Sequence, residues 1–260
     1  MRIQGPHMRD RRQSGQVAVE TAIVLPLFVF LILGTLQLGL MHQARLMAKY
    51  AAYKAVRAGA LHNADVKKME RAALAVLLPM ISRGSGGTES MMTVNSAADF
   101  QQKWMWPEVM TNRITATNIP YAKVTICGPV EGDLGGASGE VDFDNPEKIT
   151  SSGDWKDSQR SKLRIQLTFN YRMVIPFADV VIYNIARAKE LPYVIRLGKQ
   201  GDTTRQAYID KDMGDYDTAA GQKVYVVPIR ATYTMRMQSN LYLGKNKLPK
   251  DNTCLFSFQE

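Results

Sequence analysis

Only two cysteines and three histidines occur in 260 residues. Transition-metal centres draw most of their ligands from those two residue types. His7, His42 and His62 are scattered, so a familiar metal cluster would need many acidic partners. Neither Gly84-Ser85-Gly86 nor Gly136-Ala137-Ser138-Gly139 has the spacing of a nucleophile elbow. Gly198-Lys199 lacks the Ser/Thr and the preceding glycine of a phosphate loop. Asp210-Lys211-Asp212-Met213-Gly214-Asp215-Tyr216-Asp217 superficially suggests a calcium loop. It fails the EF-hand pattern, because Gly214 stands at position five and Gly221 replaces the glutamate of position twelve, and it reads as a solvated turn. No internal repeat is present. These absences leave no residue to nominate as catalytic, no metal site and no cofactor. The expectation is a protein that is not an enzyme, with a hydrolase built on scattered carboxylates as the remaining enzymatic reading.

Charge is the next absence, and the most informative. Between Arg12 and Arg45 the chain carries one charged residue, Glu20, and Thr21 to Ala44 contains no Asp, Glu, Lys or Arg. As a helix that run would extend about 36 Å, enough for a hydrocarbon core of about 30 Å. It exceeds the roughly 7–15 apolar residues of a secretory signal, and no Ala-x-Ala site follows it promptly. Arg2, Arg9, Arg11 and Arg12 precede the span with only Asp10 opposing them, so the N-terminus is expected in the cytoplasm and the body outside. Met8 is a plausible natural start, giving the short basic leader Met8 to Gly15. A carboxylate at the mouth of such a helix costs about 2.5–3.5 kcal/mol if carried to the bilayer centre, so it calls for a cationic partner.

The residues around that carboxylate carry a resemblance. Gly15-Gln16-Val17-Ala18-Val19-Glu20-Thr21-Ala22-Ile23-Val24-Leu25-Pro26-Leu27-Phe28, continuing to Leu38-Gly39, resembles the processing region of TadE-like pseudopilins of the tight-adherence (Flp) pilus system. Ala55-Val56-Arg57-Ala58-Gly59-Ala60 is similar to the end of that family's first helix, so the likeness covers about residues 8–60. The resemblance implies cleavage between Gly15 and Gln16 by a prepilin peptidase. It also implies pairing of Glu20, then mature residue five, with a new N-terminal amine. The partners it implies are other pilin or pseudopilin subunits, the pilus assembly platform and inner-membrane lipid. The alternative is an uncleaved signal anchor carrying a periplasmic scaffold or binding protein.

The bulk numbers agree with one anchor and one folded region. Formal net charge is +9, from 33 Lys/Arg against 24 Asp/Glu; removing the five and two in residues 1–45 leaves 28 against 22. The remaining basic residues are scattered, without the aromatic-interleaved stripe of nucleic-acid binders, so no nucleic acid is expected and a solvated surface is the simpler reading. Cys127 and Cys254 both fall outside the membrane by this topology and allow one disulfide; the alternative is two unpaired thiols.

Ala44, Ala48, Ala51, Ala52, Ala55 and Ala58 recur at helical spacing and extend the first helix as a stripe of small residues, suited to neighbouring pilin-like helices or to the protein's own sheet. Arg45, Lys49, Lys54 and Arg57 make its polar flank, and Gly59 marks its weakening or end. A second helix is predicted from Asn63 to Ile81, with Asn63 as N-cap and Ala72, Leu74, Ala75, Leu77 and Leu78 on its buried side. Gly84-Ser85-Gly86-Gly87 reads as a linker, and Asp99 to Val109 as a short helix broken by Pro107. Tyr121 to Cys127 is a candidate strand. Residues 162–175 and 225–237 alternate, apolar at odd positions and polar at most even ones, which predicts a sheet buried on one face and wet on the other. Pro228 places its strand at an edge or delays its start. Gly128 to Ser161 reads as a long exposed loop, and Phe177 to Lys189 as a helix begun by Pro176.

The expected class is α+β: a long N-terminal membrane-spanning pilin-like helix, then helices packed on a small antiparallel sheet. The expected divisions are a leader at 1–15, a span at 16–44, a helix extension at 45–60, a helical and linker region at 61–120, and an extracytoplasmic α+β domain at 121–260. The expected role is a minor pilin or pseudopilin, single-pass in the inner membrane or carried into a pilus.

Overall fold

The computed structural model describes residues 14–84, 90–134, 139–144, 162–187 and 214–254. Its first element is one helix, α1 (Ser14–Leu61), continuous through Pro26. The ring removes one backbone hydrogen bond without ending the helix. Two regimes share this element. From Val17 to Leu36 the large apolar side chains are mostly exposed. From Gln37 onward one stripe is covered, and Ala44, Ala48, Ala51, Ala52 and Ala55 are fully buried.

What covers that stripe is the protein's own domain. A three-stranded antiparallel sheet, ordered β3–β5–β6, lies along the second half of α1. Its strands are β3 (Ala122–Gly128), β5 (Lys162–Arg172) and β6 (Val226–Arg236). Small side chains let the helix approach the sheet closely, so the alanine stripe serves the protein's own packing. Helix α2 (Val66–Leu77), followed by a 3-10 turn (Leu78–Met80), packs on both α1 and β3. The N-cap of α2 is Asp65, whose carboxylate accepts from the N–H groups of Lys67 and Lys68; Asn63 instead sits in the preceding turn at φ +58°. Its buried side is Met69, Ala73, Leu74 and Leu77, with Ala72 and Ala75 only half-covered.

Gly59 does not end α1, which runs two residues further. It allows a close approach: a Cβ there would lie 2.4 Å from Met69 Sδ and 2.7 Å from Leu163 Cδ2. Short pairs flank the glycine-rich segment read as a linker, with β1 (Ser82–Arg83) antiparallel to β2 (Ser90–Met91); residues 85–89 lie outside the described residues. Helix α3 (Ala97–Trp104) begins with a capping box between Ser96 and Asp99, and Pro107 opens α4 (Pro107–Met110). The region read as a loop after Gly128 contains a 3-10 turn (Glu131–Leu134) and β4 (Glu140–Val141), which pairs with β7 (Leu241–Tyr242). Its remainder from 145 to 161 lies outside the described residues.

The sheet departs from the one-face pattern. All odd positions from Leu163 to Tyr171 are buried, yet Gln166, Asn170, Arg172, Val226 and Pro228 are buried too. The half of the sheet nearer the anchor is therefore covered on both faces. Asn170 is tolerated there because its amide is satisfied: it donates to Pro120 O at 2.7 Å and accepts from Tyr216 Oη at 2.6 Å. Tyr216 belongs to α6 (Gly214–Gly221), so the segment read as a solvated turn is, from 214 on, a helix; residues 210–213 lie outside the described residues. Conversely Tyr233, an odd position, remains 41% exposed at the far part of β6, edge-on to Tyr53 of α1.

Pro228 sits on the edge strand opposite Asn170. The Asn170 N–H points the other way, to Tyr121 O, whereas Met173 N–H donates to Tyr225 O. In an antiparallel ladder that alternation turns the Pro228 nitrogen to the open edge, where a missing N–H breaks no ladder bond. A disulfide joins Cys127 to Cys254, with Cα atoms 5.6 Å apart, tying the end of β3 to the C-terminal segment.

Candidate functional site

The residues that the resemblance singles out lie along the first half of α1. Gly15 and Gln16 occupy its opening turn, whose backbone N–H groups have no intrahelical acceptor and which frays most readily. Around Gly15 there is open space: a Cβ there would meet nothing within 4 Å. Glu20 follows one turn after Gln16 on the same side of the helix, about 6 Å further along the axis, and is exposed. It is the only acidic residue between Val17 and Ala44.

The other polar groups in this stretch are handled in ways that suit a medium without water. Thr21 Oγ1 donates to Val17 O and Thr35 Oγ1 to Ile32 O, each at 2.8 Å, so both hydroxyls are absorbed by their own helix. Gln37 is covered by the domain, and its Oε1 accepts from the Ile175 N–H at 3.1 Å. Around them Ile23, Val24, Leu25, Leu27 and Phe28 are more than half exposed. An apolar surface of that extent is not left to water in a soluble monomer. The element containing it is long and apolar enough to cross a membrane.

At the junction with the domain, helix α5 (Ala178–Ala186) packs against α1. Its N-cap is Phe177 and its C-cap Arg187; Lys189, the predicted end, lies outside the described residues. Asp217 on α6 joins the two short helices, accepting from Tyr183 Oη at 3.1 Å and pairing with the Arg187 guanidinium. Burial and the adjacent Asp217 carboxylate both push the Tyr183 phenol upward. On the other side of the domain Lys103 is fully buried, its ammonium donating to Met92 O at 2.8 Å beside the Trp106 ring. Burial lowers it to about 8. Sequence reasoning missed this lysine because nothing in Asp99-Phe100-Gln101-Gln102-Lys103 distinguishes an inward from an outward lysine.

Helix and domain together define an α+β protein with one candidate membrane span among the described residues. The family model for TadE-like protein matches residues 15–57, which is consistent with a TadE-like protein of the tight-adherence pilus system. The match spans Gly15, Gln16, Glu20 and the stripe from Ala44 to Ala55, and so includes much of the face of α1 on which the domain packs. No curated protein and no solved structure matches the chain.

Proposed function

We propose that this protein is a minor pilin or pseudopilin of a tight-adherence pilus system, matured by a prepilin peptidase between Gly15 and Gln16. The N-terminus faces the cytoplasm and the α+β domain the periplasm. After cleavage the helix joins other pilin-like subunits at the assembly platform, either within the inner membrane or in the pilus. Its work is interaction, not catalysis.

The observation that carries this reading is the placement of Glu20. A carboxylate stands at the edge of an uncharged, exposed helix, one turn from the amine that cleavage after Gly15 would create, inside the segment that matches the TadE-like model. An ionised carboxylate in an apolar medium is tolerated when a cation sits against it. An amine of a neighbouring subunit is such a cation, so docking would place a charged partner against Glu20 within the assembly.

Glu20→Ala tests this. Removing the carboxylate lifts the insertion cost, so membrane fractionation should be unchanged or improved, while co-purification with pilus components and surface pilus yield should fall to background. Assembly at wild-type levels would refute the docking role and leave an uncleaved, signal-anchored scaffold as the better account.

A further inference from the structure

Strand β5 runs back along α1 toward the anchor. Leu163 at its start packs beside Gly59, and just beyond its end the Ile175 N–H reaches Gln37 at 3.1 Å. Gln37 stands only about 24 Å along the helix from Thr21, within the roughly 30 Å that the hydrocarbon core occupies. The turn from β5 into α5 is thereby held at the level of the last turn of the span. Leu36 and Leu38, which flank Gln37 on α1, are both exposed.

The surface of that turn is apolar. Pro176 and Phe177 are exposed, Phe177 to 71%, and Ile185 at the other end of α5 is 49% exposed. Phe177 also has φ +69°, a backbone region that a bulky side chain seldom adopts. Met173 to Ile182 contains one charged residue, Asp179, which is buried and accepts from the Val180 N–H at 2.7 Å. A patch of this kind at the water-exposed end of the domain would call for a protein partner. Here the same level already holds the exposed leucines of the spanning helix, and what suits them suits the patch.

We propose that the β5–α5 turn is a second membrane contact: Pro176, Phe177 and Ile185 enter the lipid interface of the leaflet at the C-terminal end of the span. The inference rests on the reading that α1 crosses the membrane. Its consequence is that the domain is held at two points, by α1 and by the turn, which fixes its height and orientation over the bilayer. Aromatic and aliphatic side chains on an otherwise uncharged edge are the type that occupies this zone.

The test uses the full chain, one copy per nanodisc, in phosphatidylcholine and phosphatidylglycerol with or without brominated acyl chains. Tryptophan is introduced at Phe177 and, separately, at Ile185, and quenching is read against the wild-type background of Trp104, Trp106 and Trp155. Phe28→Trp, within the span, is the buried reference. Tyr242→Trp is the water reference, since Tyr242 lines a hollow with His62 and Asn63 just past the other end of α1. The inference expects Phe177→Trp and Ile185→Trp to lose emission to bromolipid as Phe28→Trp does. It is overturned if both behave like Tyr242→Trp while Phe28→Trp is quenched, which would leave the spanning helix intact and the turn in water. Absence of quenching at Phe28→Trp as well would overturn the membrane reading itself, and this inference with it.

Discussion

Replacing Gly59 probes whether the spanning helix and the α+β domain are one packed body. A helix-interior glycine on a free surface gains about 1 kcal/mol when it becomes alanine, because the backbone loses less freedom. At Gly59 the added methyl would instead stand 2.4 Å from Met69 Sδ and 2.7 Å from Leu163 Cδ2, and both side chains are fully buried. The Met69 thioether can turn aside, whereas Leu163 is held in β5 between paired neighbours. Overpacking of a filled core costs about 1–3 kcal/mol, so Gly59→Ala should lose about 1 kcal/mol net and Gly59→Leu about 3 kcal/mol or more. Guanidinium unfolding of the full chain in detergent, followed by tryptophan emission, measures the series. A loss that grows with side-chain volume at constant slope supports the packing. Stabilisation of Gly59→Ala by about 1 kcal/mol would refute it, since that is what an unpacked helix surface gives.

Leu167→Asn should destabilise by about 3 kcal/mol, through a cavity and a buried amide, while Tyr233→Asn, at a position 41% exposed, should cost less than about 1 kcal/mol; equal losses in the same unfolding assay would contradict the assigned burial. Lys103 should give stability a pH dependence. Its ammonium lies at about 8 against 10.5 in the unfolded chain, so the unfolded state holds the proton more tightly and stability should rise between those values by at most about 3 kcal/mol and be flat below. Lys103→Met should abolish that rise relative to wild type; an unchanged difference between pH 7 and pH 10 would mean the lysine is solvated.

The long apolar helix was legible because its signal needs no tertiary context: an uncharged run of that length has few alternatives. The strand alternation at 162–175 was legible for the same reason, with its odd face against α1. Gly15, Gln16 and Glu20 were singled out by the resemblance to TadE-like pseudopilins. What periodicity cannot reveal is a second covering layer. Gln166, Asn170 and Arg172 look like a wet face, and that half of the sheet is buried by segments far away in sequence, among them α6 with Tyr216 on Asn170 and the chain at Pro120 and Gly84 that accepts from Asn170 and Arg172. Gly59 was read as the weakening or end of α1, which stops two residues later at Leu61; its close approach to Met69 and Leu163 was not legible, because a glycine required by a close neighbour and one required by a turn look alike in sequence. Asn63 lost the cap of α2 to Asp65 by two residues, both being good caps; the turn at Asn63 is fixed instead by its bonds to Ser239 Oγ and Asn240 O.

The central claim is tested most directly by the mass of the mature chain. Protein purified from its native host should begin at Gln16 when prepilin peptidase is active and should retain Gly15 and the residues before it when that enzyme is deleted. Gly15→Ala offers a clean companion, because a methyl at this position meets nothing within 4 Å and leaves the fold undisturbed; it should block processing without loss of stability. An intact leader in cells with active peptidase, or normal cleavage of Gly15→Ala, would contradict maturation at this site and with it the pilin-like account.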